Sequence, residues 1–223
     1  MGTRAVMAPS IPEAITSSEE QAVIAAVQAG NTAFFAKLVT AYQDRLFGAM
    51  CIVLGNRQDA EDVTQEAFAK AFLKLDTFQG RSSFFTWLHR IARHVAIDNR
   101  RRGWRERQQR NADVGDVHDL ASSTLMRASD PGPAEAAERK ENHQRLYRAL
   151  ATMDEERREV ITLRDLQGLD YAEIAEILQL PIGTVRSRLH RARLELRGLL
   201  ADLASDEGVA KHASWSLATG EDR

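Results

Sequence analysis

Apolar residues recur along this chain at steps of three and four, and those steps lay out a series of helices. Val23, Ile24 and Val27 predict a helix over 19–30, with Gly30-Asn31 as its stop. From Thr32 the pattern resumes through Phe34, Phe35, Leu38, Val39, Tyr42, Leu46, Phe47, Met50 and Val53, a long amphipathic helix ended by Gly55-Asn56. Val63, Ala67, Ala71 and Leu75, each four apart, predict a third helix from Gln58. Phe78-Gln79-Gly80 reads as a turn, and Ser82 or Ser83 can cap a fourth helix running to Arg102. Residues 19–103 therefore read as one compact helical domain.

Periodicity then lapses. Residues 104–133 are rich in Asp, Ser, Gly and Pro and close on Asp130-Pro131-Gly132-Pro133, the signature of a linker. A flexible chain of that length reaches roughly 30 Å. A second domain, 134–200, opens with a helix over Ala134–Met153. Asp154 caps the next, which buries Val160, Ile161 and Leu163 before Gly168 stops it. In Asp170–Arg197, Asp170 and Glu173 form a capping-box pattern, and Ile174, Ala175 and Leu178 follow at helical spacing. Gln179-Leu180-Pro181 interrupts them, because proline lacks an amide hydrogen and turns its predecessor away from helical angles. A second helix carries Val185, Leu189, Ala192 and Leu196 on one face and arginines on the others. This is the pattern of a helix-turn-helix. The expected fold is all-α: two small helical domains, a flexible linker between them, and polar tails at 1–18 and 201–223.

Composition changes little of this and removes alternatives. The single cysteine, Cys51, lies in an apolar run and reads as a buried small hydrophobe, which excludes an intramolecular disulfide framework. No stretch approaches the roughly 20 apolar residues of a membrane span, and the N-terminus lacks a secretion signal, so a cytoplasmic protein is expected. The net charge of −2 argues against a general nucleic-acid binder, but charge is segregated. Nine arginines fall between Arg81 and Arg110 against Asp98 and Glu106, and five between Arg186 and Arg197 against Glu195. Acids gather at Asp59, Glu61, Asp62 and Glu66.

Catalytic patterns are missing from the sequence: it has no glycine-rich phosphate loop, no His–Glu metal pair on a helix and no nucleophile in a recognisable setting. Its six histidines, His89, His94, His118, His143, His190 and His212, are scattered. No enzyme, metal site or cofactor is expected.

Three constellations remain. Asp59, Asp62 and Glu66, with Gln65 beside them, share one helical face. The helix dipole accounts for acids in a first turn but not for acids continuing to Glu66, which suits a protein-docking surface. In Ser82–Arg102, aromatics including Trp87 lie beside Arg90, Arg93, Arg100, Arg101 and Arg102, a pairing that suits melted DNA; taken residue by residue, the aromatics read first as core and the arginine run as a nucleic-acid contact. In the second helix of the helix-turn-helix, Arg186 and Arg191 sit early, where base contacts are expected.

The order DAEDVTQEAFAKAF, FFTWLHRIARHVAIDNRRR and YAEIAEILQLPIGTVRSRLHRARLEL resembles bacterial RNA polymerase sigma factors, most closely the extracytoplasmic-function (ECF) group of the sigma-70 family. The resemblance implies that Asp59, Asp62, Gln65 and Glu66 dock on core polymerase. It implies that the helix carrying Trp87, His94, Asp98, Arg100, Arg101 and Arg102 reads and opens the −10 element. Thr184, Arg186, Ser187, His190 and Arg191 would then read the −35 element. Relatives often place asparagine where His94 stands, so the base preferred there is open. Core RNA polymerase, promoter DNA and an anti-sigma factor are the partners implied. The competing reading is a free-standing helix-turn-helix regulator that binds duplex DNA without polymerase.

Overall fold

A computed structural model describes residues 17–104 and 133–218. The N-terminal tail through residue 16, the linker residues 105–132 and the last five residues lie outside the described residues. The described chain holds eight α-helices: α1 (Ser17–Gln28), α2 (Phe35–Leu54), α3 (Arg57–Lys74), α4 (Phe84–Asn99), α5 (Pro133–Thr152), α6 (Glu155–Ile161), α7 (Tyr171–Leu178) and α8 (Ile182–Ala218). One-turn 3-10 segments at Thr32–Phe34 and Leu75–Thr77 and π turns at Arg100–Trp104 and Thr162–Leu166 complete them.

Local chemistry sets the ends. Gly55 takes a left-handed φ of 68° and stops α2, and its N–H closes on the Cys51 carbonyl. Asn56 then caps α3 by accepting from the Asp59 N–H at 2.9 Å. Ser83 caps α4, and Asp154 caps α6. The Asp170–Glu173 capping box is formed: Asp170 accepts from the N–H groups of Ala172 and Glu173, and Glu173 accepts from the Asp170 N–H at 3.0 Å. Asp170→Ala should cost about 1 kcal/mol of stability, read as a lowered urea midpoint at unchanged slope. An unaltered midpoint would show that the cap contributes nothing.

The N-terminal domain packs α2, α3 and α4 against one another, with α1 along α2. On α3 the inward positions include Ala60, Ala67 and Ala71, all fully buried, and such small side chains let the neighbouring helices approach closely. Leu38, Leu46, Met50, Phe84, Phe85 and Leu88 fill the remaining space, and Cys51 is buried with them. The Gln28 amide ties the end of α1 to the carbonyls of Leu75 and Phe78. In the C-terminal domain α8 lies against α5, α6 and α7. Its buried Val185, Leu189 and Ala192 join the core that also holds Ile161, Leu163, Ile174 and Ile177.

Two features depart from expectation. The domains do not stand apart: one contiguous apolar core runs through both, with α4 packed on α7 and α2 on α6. The stretch after Ala201, read as a polar tail, instead continues α8 as a helix to Ala218.

Candidate nucleic-acid and polymerase interfaces

The acidic face lies on α3. Asp62 and Gln65 are exposed, while Glu66 is half-buried, paired with Lys70 at 2.8 Å and hydrogen-bonded by the Asn99 amide at 3.3 Å. Asp59 differs from the other three. It sits in the first turn, buried to 9% exposure, so its carboxylate presents little surface to a partner. Farther along the same stripe Leu73 is 79% exposed, a feature the sequence reading did not single out.

Helix α4 is enclosed over its first half and open at its end. Trp87 belongs to the core: it is 7% exposed and packs on Phe78 and Phe84 at centroid distances of 5.2 and 5.8 Å. The structure thus removes it from the DNA-facing surface on which the sequence reading placed it. His94 and Arg101 are exposed, and Asp98 and Arg100 are half-buried. The side chain of Arg102 lies outside the described residues. Gly103, with φ of 103°, breaks the turn that follows α4.

The helix-turn-helix is α7 and α8. Its break falls on Gln179, which adopts left-handed φ and ψ of 55° and 46° although it is not glycine. The chain recovers through the Leu180 N–H donating to Ala175 and the Thr184 N–H donating to Pro181. Burial of Val185, Leu189 and Ala192 sets the rotation of α8, and it leaves Arg186, Ser187, His190 and Arg191 exposed and Thr184 half-buried at the start. The arginines are sorted. Arg188 turns back to Glu156 at 2.9 Å, and Arg193 is held by Asp165, a hydrogen bond that raises the pKa of its guanidinium further. Arg186 stacks over the Tyr171 ring at 5.4 Å, with Arg164 over the same ring at 5.1 Å. Arg191 makes no ion pair among the described residues and projects outward.

Comparison with known proteins places both halves. The description "Sigma-70 region 2" matches residues 38–106, and "Sigma-70, region 4" matches residues 143–196. The RNA polymerase sigma-H factor of Pseudomonas aeruginosa is 34% identical over 80% of this chain and 92% of its own length. The ECF RNA polymerase sigma-E factor of Escherichia coli K12 is 37% identical over 78% of this chain and 90% of its own. This chain belongs to the ECF group of the sigma-70 family. Among solved structures, CnrH in complex with the cytosolic domain of CnrY is similar, with a TM-score of 0.56 and 25% identity over 82% of this chain and 97% of that one.

Family membership rules out the free-standing regulator as a reading of this sigma factor. Among the described residues, no cluster of His, Cys, Asp and Glu could hold a metal ion, and no helix is long and apolar enough to cross a membrane. The sequence reading also missed a set of charged contacts between the domains. Arg93 and Arg100 of the α4 region meet Glu159 and Glu155 of α6. Glu155 and Glu159 are four apart, a spacing that marks one helical face, but nothing local in the sequence says that arginines from another domain cover it.

Proposed function

We propose that this sigma factor docks on core RNA polymerase through the α3 face of Asp62, Gln65 and Glu66 and reads a promoter at two points. Asp59 supports the start of that helix from inside. His94, Asp98, Arg100, Arg101 and Arg102 form the −10 contact, and Thr184, Arg186, Ser187, His190 and Arg191 form the −35 contact. The observation that carries the reading is the sorting of the α8 arginines: Arg188 and Arg193 are tied back to carboxylates while Arg186 and Arg191 are left on the outward face. A helix entering the major groove needs that division, with some cations spent on holding the helix and others free for base edges. Phosphate contacts by the α4 arginines would fix position without carrying sequence information.

The protein carries out no reaction of its own in this role. It acts in the cytoplasm, where polymerase and DNA meet. An anti-sigma factor belongs to the reading as a partner, and CnrH, the similar solved protein, is held by the cytosolic domain of CnrY.

The test is reconstitution with core polymerase followed by run-off transcription, set beside DNA binding by the protein alone. Selective initiation by the complex and weak, unselective binding by the free protein are expected. Asp62→Lys should lower affinity for core by about tenfold, the equivalent of about 1.4 kcal/mol, as measured by co-purification or fluorescence titration. Undiminished core binding by that variant would remove α3 from the docking surface.

A further inference from the structure

Three arginines assigned by charge to the DNA side of α4 already have partners. Arg90, Arg93 and Arg100 lie within one face of the helix and its following turn, and each meets a carboxylate of the C-terminal domain. Arg90 pairs with Glu176 at 3.2 Å and Arg93 with Glu159 at 3.1 Å, while Arg100 makes a fork on Glu155 with one arm at 2.8 Å. Charge-assisted hydrogen bonds flank them: Ser82 donates to Glu176, Thr86 donates to Glu173 at 2.9 Å, and Arg45 donates twice to Gln167.

The pairs are not equivalent. Arg93–Glu159 is the enclosed one, with side chains 26% and 9% exposed. Burial pushes the Glu159 carboxyl above its ordinary pKa, and Arg93 pulls against that shift. Removing either partner of such a pair strands a charge out of water. The outer two pairs are more exposed and contribute less.

We propose that Glu155, Glu159 and Glu176 form an electrostatic latch that occupies the arginine face of α4 in the free protein and must release before that face can take DNA phosphates. The proposal rests on the DNA-facing reading of α4 above. A carboxylate and a phosphate offer a guanidinium similar acceptors, so an arginine held on its carboxylate has part of its charge and its donors already engaged when a phosphate arrives. Because the carboxylates are tethered to the arginines they bind, they compete at high effective concentration. Whatever separates α4 from α6 and α7 uncovers all three arginines together.

The test compares Glu155→Gln/Glu159→Gln with the charge-matched control Asp76→Asn/Asp202→Asn in the full-length protein. The probe is a labelled, mixed-sequence single-stranded DNA followed by fluorescence anisotropy, and the radius of gyration comes from small-angle X-ray scattering. The latch variant should bind the oligonucleotide about tenfold more tightly than the control and scatter as a more extended particle. Should the double variant not fold, Glu155→Gln alone carries the same test at a half-exposed pair, with about a threefold gain expected. Equal binding and equal dimensions in variant and control overturn the latch. Expansion without tighter binding overturns the masking of DNA contacts. Transcription by holoenzyme carrying Arg100→Ala separates the two failures: if it falls while the latch variant stays closed, the DNA-facing reading survives and only the latch is lost.

Discussion

Replacing Arg191 with alanine should lower transcription from a cognate promoter by about 5- to 150-fold while leaving affinity for core polymerase unchanged. The range is the roughly 1–3 kcal/mol of discrimination that a bidentate arginine–base contact supplies. Arg191 is the arginine on which that loss should be concentrated. It lies on the exposed side of α8, one position before buried Ala192, and no carboxylate pairs with it among the described residues. Arg193 serves as contrast, because its guanidinium is engaged by Asp165 and its loss should act on the helix-turn-helix packing instead. Run-off transcription with reconstituted holoenzyme, across promoter variants differing at single −35 positions, makes the distinction. Arg191→Ala should flatten the preference at one position, whereas Arg193→Ala should lower output at every promoter alike. If Arg191→Ala transcribes at the parental level with its base preference intact, α8 is not placed in the groove as proposed.

A second large effect concerns acid. His89 is fully buried on α4, its ring edge-on to Phe85 at 5.8 Å, and neither ring nitrogen meets a partner among the described residues. Burial pushes its pKa from the ordinary 6.5 down to about 3, and the cations Arg45 of α2 and Arg93 of α4 add to that depression. The folded protein therefore holds this imidazole neutral, while the unfolded chain takes up a proton below pH 6.5. The stability is fully present above pH 6.5 and is lost as pH falls toward the folded value, at about 1.4 kcal/mol per pH unit. Between pH 6.5 and pH 5 the loss from this residue is about 2 kcal/mol. Urea unfolding at pH 7 and pH 5 should show His89→Leu losing about 2 kcal/mol less than the parent over that interval. Equal losses in the two proteins would mean that the imidazole is not held neutral by the fold.

The legible parts of this molecule are those fixed by neighbours in sequence. The Asp170–Glu173 box, the left-handed stop at Gly55 and the Ser83 cap each depend on residues within four positions, and each forms as its sequence implies. The rotation of α8 follows from Val185, Leu189 and Ala192 alone, which is why its outward residues could be named beforehand. Trp87 shows where such reading stops. Helical spacing gives α4 an apolar stripe broad enough for core or for stacking bases, and the choice depends on what covers it. Here Phe78 and Phe84 close over Trp87, and α7 of the other domain covers the adjoining face. The same covering explains Thr86, a polar residue with no exposure in a helix otherwise read as DNA-facing, whose hydroxyl donates to Glu173 of α7. Contacts between domains far apart in sequence leave no periodic trace in either one. Gln179 is a different case: Pro181 announces a break, but the residue that absorbs the left-handed turn is a glutamine, which bears a steric cost a glycine would avoid.

Cys51 has a consequence for how this sigma factor can be regulated. It is the chain's single cysteine, fully buried on α2, and burial pushes its thiol up to about 12. Near neutral pH only about one molecule in 10⁵ then carries the thiolate that oxidants attack. With a second thiol absent from the chain, no disulfide can close within it. Peroxide and electrophiles therefore meet a protonated, enclosed sulfur at Cys51, and an oxidative signal gains no foothold at this thiol while the α2 core stays packed.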